Sequence, residues 1–297
     1  MNRTITYRLS VTLSLALMAV ILGAAIQEGR KCRFWPGVRA LYPLPFRWES
    51  LSEGFDRTVL KFNGRTLGHE PPRNYIKRRV EVLVFRIDTA RFPLRVMTAR
   101  GLFGTKKAKL SKVHEKTGAL LTINGGYFSG TGDPMGMVIS DGELRNPWSE
   151  EGGSGAIAMF GSVLRIDWIK KITEAAPPPQ QALQNGPLIV EPGGEWGMIH
   201  RRDKYFPRTV VALDKSGKLL VAVTRKLYRE ENSGGINLYE AAAILYNTEK
   251  IGGLEAFVAM NLDGGTSTGM QLTLGDHHDR IPVNIGLPTF ICIMPPP

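Results

Sequence analysis

The spacing of apolar positions predicts a chain dominated by β-strands from residue 80 onward. Apolar residues recur at every second position from Val80 to Val84, which predicts a strand ending near Asp88. Residues 94–98 have the same character, so we expect the two strands to pair as a meander. Further strand-like runs lie at 119–123, 135–140, 156–160, 163–169, 187–190, 209–214, 219–224 and 256–262, with more strand from 272 to 293, and the turn at 215–218 predicts a hairpin.

Two segments have the pattern of helices. Residues 237–251 carry one apolar face, begin at Asn237 as an N-cap, and place Glu240 three residues later as in a capping box. Residues 106–117 form a basic helix closed by Gly118. Strands outnumber helices and do not alternate regularly with them. The sequence therefore predicts a single α+β domain with a large mixed, mostly antiparallel sheet and a few packed helices.

The positive charge of the chain is concentrated in its first third. The 297 residues include 38 Lys and Arg against 27 Asp and Glu, a formal charge of +11. Residues 1–110 hold 21 of the basic and 7 of the acidic side chains, which leaves 17 and 20 for the rest. The basic groups at 77–79 and at 106–109 could attract an anionic membrane or polymer, or could be solvated faces. No aromatic residues alternate with them, so we expect no nucleic-acid partner.

The N-terminal segment predicts where the protein resides. Arg3 and Arg8 precede an uncharged stretch at 9–27, which is typical of a cleaved signal peptide or an N-terminal membrane anchor over residues 1–27. We therefore expect a periplasmic protein, or one anchored in the inner membrane and facing the periplasm. Residues 28–79 are basic and rich in Pro and aromatic residues, which predicts an irregular lead-in to a domain at 80–297.

Several chemistries are excluded by missing motifs. The sequence has no GxGxxG, GxxxxGK[ST], HExxH or GxSxG pattern and no CxxC spacing for zinc. His277 and His278 adjoin two aspartates, but their positions favour an exposed loop over a metal site. We therefore predict no metal ligands, although a divalent cofactor stays open. Cys32 and Cys292 could pair in an oxidising compartment, but Cys292 in an apolar strand and Cys32 beside the export segment favour unpaired thiols.

Two apolar strands run directly into glycine-rich polar turns. One reaches Asn124, Gly125 and Gly126, and the other reaches Asp263, Gly264 and Gly265. A buried strand holds its last side chains firmly, and paired glycines allow a ligand to approach the backbone. Such turns also occur as ordinary tight turns. We expect the two turns to converge with Arg208 on one pocket.

The order and spacing of these motifs resemble the phosphodiester glycosidase family. The resemblance covers residues 80–294 and rests on motifs at 124–128, 134–142, 185–187, 208–209, 235–241 and 261–265. It implies the family fold and a site for a glycosyl phosphodiester, whose phosphate leaving group needs little acid assistance. The implied catalytic residues are Asp263, as base or as stabiliser of a cationic sugar, Arg208, for the phosphate, and Glu240, which an N-terminal cap also explains. The implied substrate-binding residues are Asn124, Gly125, Gly126, Asn185, Thr209, Gly264, Gly265, Ser267 and Thr268.

The function expected from these features is that of an exported hydrolase. It would cleave a sugar from a glycosyl phosphodiester in a cell-envelope or extracellular polysaccharide. Its partners would be a phosphorylated glycan or sugar-phosphate diester, and the membrane if the N-terminal segment is uncleaved. Two alternatives stay open: a non-catalytic envelope module that binds an anionic glycan, and phosphodiesterase chemistry at phosphorus.

Overall fold

A computed structural model of the protein describes residues 47–63, 79–198, 204–226, 235–246 and 254–297. The predicted export segment and Cys32 lie outside these residues. The strands are β1 (Glu49–Ser52), β2 (Phe55–Asn63), β3 (Arg79–Ile87), β4 (Leu94–Thr98), β5 (Leu121–Asn124), β6 (Val138–Ser140), β7 (Glu143–Asn146), β8 (Gly155–Phe160), β9 (Val163–Trp168), β10 (Gln181–Asn185), β11 (Leu188–Glu191), β12 (Glu195–Trp196), β13 (Thr209–Asp214), β14 (Leu219–Lys226), β15 (Ala256–Asn261), β16 (Met270–Leu274), β17 (His277–Ile281) and β18 (Thr289–Ile293). The helices are α1 (Ala99–Phe103), α2 (Leu110–Thr117), α3 (Ile169–Thr173) and α4 (Leu238–Tyr246).

The described strands form three sheets whose neighbours all pair antiparallel. The largest sheet has eight strands in the order β1-β2-β3-β14-β13-β15-β11-β12. The second sheet has the order β7-β6-β10-β8-β9, and the third has the order β17-β16-β5-β18-β4. The predicted α+β class with mostly antiparallel strands is confirmed, but the strands divide among three sheets instead of one mixed sheet.

The three sheets share one apolar core. Leu83 and Phe85 of β3, Ile123 of β5 and Ile157 of β8 belong to the same buried cluster, and each is fully or almost fully buried. Burying this cluster is the main source of the fold's stability, because apolar area removed from water contributes roughly 25 cal/mol per Å². The sheets meet at this core, so the ends of strands from different sheets lie close together.

Each helix of two or more turns covers the outer face of a sheet. Ala241 and Leu245 of α4 pack on the largest sheet, which explains why β3 is apolar on both faces. Val113 of α2 packs on the third sheet beside Cys292. As predicted, α2 ends at Gly118, a left-handed residue whose N–H donates to the oxygen of His114. No helix in the described part of the chain combines the length and apolar content needed to cross a bilayer.

Several local predictions are wrong. The segment at 28–79 contains β1 and β2, so the largest sheet extends beyond the predicted boundary at residue 80. Asp56 and Arg57 interrupt the apolar pattern of β2 with charges, so the sequence did not predict this strand. Asp56 pairs with Arg86 of β3 and Arg57 pairs with Glu49 of β1, with 2.7 Å between guanidinium nitrogen and carboxylate oxygen in each pair.

The predicted meander of 80–88 with 94–98 is also wrong, since β4 pairs with β18 in another sheet. Local periodicity carries no information about a partner so far along the chain. The third error concerns His277 and His278, which lie in β17 and not in a loop. The described residues contain no group of three or more His, Cys, Asp and Glu side chains able to hold a metal. Helix α2 begins at residue 110, not 106, and the predicted end of α4 at 247–251 lies outside the described residues.

Candidate active site

The tips of β5 and β15 meet, as the sequence predicts. The Nδ2 group of Asn124 donates a hydrogen bond to the main-chain oxygen of Asp263 at 2.8 Å. The N–H of Asp263 donates to the oxygen of Gly125 at 3.3 Å. The two glycine-rich turns therefore form one unit, although one lies in the third sheet and the other follows the largest sheet.

Asn124 also connects this unit to β13. Its Oδ1 atom accepts a hydrogen bond from the Thr209 hydroxyl at 2.6 Å and another from the N–H of Gly269 at 3.2 Å. Asn124 and Thr209 are both completely buried. Because the protein itself occupies both polar ends of the Asn124 side chain, the structure favours a positioning role over the predicted direct contact with substrate for these two residues.

Gly125, Gly126 and Gly264 allow close backbone packing and Gly265 adopts a left-handed conformation, with φ of 64°, but the N–H groups of all four have protein partners. The N–H of Gly125 donates to the oxygen of Thr289 at 2.9 Å, and that of Gly126 donates to the Thr289 hydroxyl at 3.0 Å. The N–H of Gly265 donates to the oxygen of Pro207 at 2.8 Å, and that of Gly264 to the Asp263 carboxylate at 2.9 Å. These hydrogen bonds favour a structural role for the amides in closing the turns over the predicted contact of Gly125, Gly126, Gly264 and Gly265 with substrate.

Asp263 carries the carboxyl group of the site. Burial raises the pKa of this carboxyl above its ordinary value, while hydrogen bonds from the Ser267 hydroxyl and the Gly264 N–H partly oppose the rise. Asp263 has no ion pair with any other described residue. A partly buried carboxyl that is fixed by two donors and not neutralised by a cation is suited to accept or supply a proton, or to face a developing positive charge.

Arg208 lies beside the same turn. Its guanidinium is buried, with Nε donating to the oxygen of Ile236 at 3.2 Å and Nη2 to that of Lys204 at 3.0 Å. A Cβ atom built on Gly264 would lie 3.6 Å from Nη1 of Arg208. The guanidinium therefore ties two chain segments together and places a positive charge against the turn that follows Asp263.

Glu240 occupies the structural position that the capping pattern predicts. Its Oε2 atom accepts a hydrogen bond from the N–H of Asn237 at 3.1 Å, and its own N–H donates to Oδ1 of Asn237 at 2.7 Å. The residue is completely buried at the start of α4. This reciprocal pair is a capping box, and it favours the structural interpretation of Glu240 over the catalytic one.

Three buried polar side chains near the strand tips have unpaired atoms. Among the described residues, no hydrogen-bond partner is found for either polar side-chain atom of Asn185. The same holds for Oδ1 of Asn261 and for the hydroxyl of Thr268. Gly126 adjoins Asn185, since a Cβ at Gly126 would lie 3.8 Å from its Nδ2 atom. An unpaired buried polar group costs about 1–3 kcal/mol, so a polar partner for these atoms, either a water molecule or a ligand group, would stabilise the site.

Sequence reasoning missed three residues of the site. Nδ2 of Asn261 lies 3.4 Å from the Tyr127 hydroxyl, and both groups donate to the oxygen of Gly186. Tyr127 lies in the family motif at 124–128 and Asn261 in the motif at 261–265. The sequence therefore pointed to both positions, but it did not indicate what either side chain does. Thr289, which holds Gly125 and Gly126, carries no sequence signal because its importance arises only from strand pairing.

The fold and this site define a class of protein that comparison with known families identifies. Residues 117–293 match the model of the phosphodiester glycosidase family. The match covers more than half of the chain, which therefore belongs to this family. The protein is accordingly a phosphodiester glycosidase, a hydrolase that acts on glycosyl phosphodiesters. No curated protein is significantly similar to the chain in sequence.

Solved structures share the fold. The auto-inhibited catalytic domain of zebrafish N-acetylglucosamine-1-phosphodiester α-N-acetylglucosaminidase superimposes with a TM-score of 0.63 and 19% identity, covering 84% of this chain and 87% of the zebrafish chain. A protein from Synechocystis gives 0.56 and 15%, with coverage of 84% and 64%. A protein from Burkholderia pseudomallei gives 0.57 and 12%, with coverage of 88% and 99%. At these identities the likeness concerns the fold.

Proposed function

We propose that this phosphodiester glycosidase is exported and removes a sugar from a phosphodiester in a cell-envelope or extracellular polysaccharide. The observation that carries this proposal is Asp263, whose main chain is held at the junction of β5 and β15 by Asn124 and whose carboxyl is fixed by Ser267 and Gly264. Export is supported by the sequence of residues 1–27, and periplasmic residence or inner-membrane anchoring follows from it.

The proposed reaction breaks the bond between the anomeric carbon and the phosphate oxygen. A water oxygen bonds to the anomeric carbon, the phosphate monoester leaves with the electron pair of the broken bond, and the proton of the water passes to Asp263 or to the phosphate. The leaving phosphate is weakly basic, so a strong general acid is not required. Asp263 either activates the water or stabilises the positive charge on the sugar, and Arg208 supplies positive charge for the phosphate.

The unpaired polar atoms suggest how the sugar is held. Asn185, Asn261 and Thr268 lie on the segments that surround the turn of Asp263, and each buries a polar atom without a protein partner. We assign them to the sugar hydroxyl or amide groups, because a sugar offers both donors and acceptors. We assign Ser267 to positioning the Asp263 carboxyl instead of to the sugar, because its hydroxyl donates a hydrogen bond to that carboxyl.

Replacing Asp263 tests the proposed catalytic role. Asp263→Asn should lower the release of free sugar from a methyl N-acetylglucosamine-1-phosphate diester by at least about 10²-fold, and Asp276→Asn, at an exposed hairpin tip, should not. Because burial raises the pKa of Asp263, the protonated carboxyl stabilises the folded protein below its ordinary pKa of 3.8. This stabilisation is lost as the pH rises through the folded-state pKa, where the buried carboxyl ionises. The Asn variant should therefore be at least as stable as the wild type at pH 7. Undiminished activity of Asp263→Asn would remove this residue from the mechanism.

Isotope labelling separates the proposed bond cleavage from attack at phosphorus. Hydrolysis in ¹⁸O-water should place the label on the anomeric hydroxyl of the sugar. Label in the phosphate would instead show phosphodiesterase chemistry. Export is tested separately by fractionating cells that express the full chain, and recovery only from the cytosol would contradict it.

A further inference from the structure

A basic surface beside the site is the strongest feature that the proposed reaction does not use. It consists of Arg100, Lys106, Lys107 and Lys109, all of them exposed, on the segment between β4 and α2. The segments packed around it, at 127–135 and 284–289, add one acidic residue, Asp133. Four cations against one carboxylate leave a surface that attracts anions.

The cations are only partly neutralised. Asp133 accepts from Lys106 at 2.6 Å and from Arg100 at 3.3 Å, so it serves two of them. The ammonium of Lys107 lies 5.2 Å from the centre of the Phe128 ring. Lys107 and Lys109 have no ion pair with the described part of the chain. Each of these charges is open to a negatively charged partner.

This basic surface is attached to the active site through two short connections. The first is the loop from Tyr127 to Met135, whose ends are joined by a 2.9 Å hydrogen bond and whose Asp133 and Phe128 contact Lys106 and Lys107. Tyr127, at its base, contacts Asn261. The loop therefore begins in the active site and contacts the basic surface.

The second connection runs through the segment that leads into β18, the strand whose Thr289 binds the turn at Gly125 and Gly126. Ala108 pairs with Leu287, two residues before Thr289, whose oxygen accepts from the N–H of Gly125. Two extended residues span at most about 7 Å and paired strands lie about 5 Å apart, so the Cα atoms of Ala108 and Thr289 are within about 12 Å. Anions bound to the basic surface are therefore within reach of a chain whose scissile bond lies at Asp263.

We propose that the basic surface binds further phosphate groups of the same substrate chain, so that the enzyme acts on a repeating anionic glycan in preference to a single phosphodiester. This rests on the proposed function and extends it. A single diester carries one negative charge, which the site itself accommodates. The additional cations become useful only when the substrate continues past the scissile bond with more anions. Their exposure makes the interaction sensitive to salt.

The test compares a polymer with its single repeat. The probes are an oligomer of about ten N-acetylglucosamine-1-phosphate units and the methyl phosphodiester of one unit, both with the full-length protein. The variant R100Q/K106Q/K109Q spares Lys107, whose side chain packs on Phe128 and Gly132. Its matched control, K170Q/K171Q/K215Q, removes three exposed cations elsewhere.

The expected result is selective. The R100Q/K106Q/K109Q variant should raise KM for the oligomer about fivefold or more relative to KM for the single diester, and should flatten the dependence of the oligomer KM on salt. The control should change neither. An unchanged ratio, or an equal change in the control, overturns the proposal. So does loss of binding to vesicles of anionic phospholipid with unchanged oligomer kinetics, which would assign the basic surface to a membrane.

A failure of the proposed function gives a different result. If the wild type cleaves neither probe, the hydrolysis assignment for this sugar fails, and binding of the oligomer to Asp263→Asn still tests the basic surface. Weaker oligomer binding when R100Q/K106Q/K109Q is added to that variant supports the proposal, and unchanged binding overturns it. Thermal unfolding of each variant checks that the domain remains folded.

Discussion

Asn124 and Asn185 are both completely buried at strand ends, but only Asn124 has protein partners for its polar side-chain atoms. Asn124 bonds with Thr209, Gly269 and Asp263, whereas both polar atoms of Asn185 are unpaired among the described residues. Two side chains of the same type and burial therefore serve different purposes. One assembles the turns of the site, and the other has polar capacity left for a ligand.

This contrast predicts opposite behaviour for the same substitution. Asn124→Leu should lower the free energy of unfolding by about 3–5 kcal/mol, because several hydrogen bonds are lost and their partners are left buried. Asn185→Leu should leave it within about 1 kcal/mol or raise it, since no protein hydrogen bond is lost, yet sugar release should fall at least about tenfold. Urea denaturation and initial rates measure the two effects. Strong destabilisation by Asn185→Leu would contradict the ligand role.

The Ser267 hydroxyl predicts a shift in the pH profile. Its hydrogen bond favours the ionised form of Asp263 and so lowers the pKa of that carboxyl against the effect of burial. Ser267→Ala should therefore raise the pKa further and move the limb of the kcat/KM profile that Asp263 controls to higher pH. Thr266→Ala, which removes an exposed neighbouring hydroxyl, should leave the limb in place. A shift to lower pH would contradict the assignment.

The close approach of Gly125 to β18 predicts that a single methyl group disrupts the site. A Cβ at Gly125 would lie 2.3 Å from the hydroxyl oxygen of Thr289 and 2.6 Å from its carbonyl oxygen. Gly125→Ala should cost about 1–3 kcal/mol of stability and reduce activity by more than tenfold, because the turn that carries Asn124 must move. Gly130→Ala, where a Cβ would meet no atom within 4 Å, should change stability by less than about 0.5 kcal/mol.

His114 predicts a loss of stability in mild acid. It is buried between the hydroxyls of Thr122 and Thr273, at 2.9 Å from each, and burial lowers its pKa below 6.5 in the folded state. Between the folded-state pKa and the unfolded-state pKa of His114, the unfolded chain therefore binds more protons than the folded protein. The stability that the neutral buried imidazole provides is present above pH 6.5 and is lost as the pH falls towards the folded-state pKa. The slope is at most about 1.4 kcal/mol per pH unit. His114→Gln should reduce it in urea titrations across pH 5 to 7.5, and His278→Gln should not.

The sequence predicts those parts of the fold that local physics determines. The hairpin at 209–224, the capping box of Asn237 and Glu240 and the glycine end of α2 are confirmed, because each depends on residues a few positions apart. The pairing of β4 with β18 and the division into three sheets depend on contacts across most of the chain. Strand β2 was missed because its charged residues Asp56 and Arg57 pair with side chains of other strands, Arg86 and Glu49.

The same distinction applies to the site. The convergence of Asn124 and Asp263 is confirmed, since each ends an apolar strand and the family motifs place both in order. The roles of the individual atoms did not follow from the sequence. Whether an amide faces a ligand or a neighbouring strand depends on partners such as Thr289, and nothing in the local sequence around Gly125 indicates that partner. The catalytic and binding roles remain predictions for the experiments above.

The docking of three sheets on one core has a consequence for how the enzyme gains and loses activity. The site draws Asn124, Asn185 and Thr209 from three different sheets and relies on Thr289 of β18, the last strand along the sequence. No fragment containing only one sheet holds a working catalytic centre. Turnover should therefore vanish together with the global unfolding transition, and a single proteolytic cut that lets one sheet separate should silence the enzyme entirely.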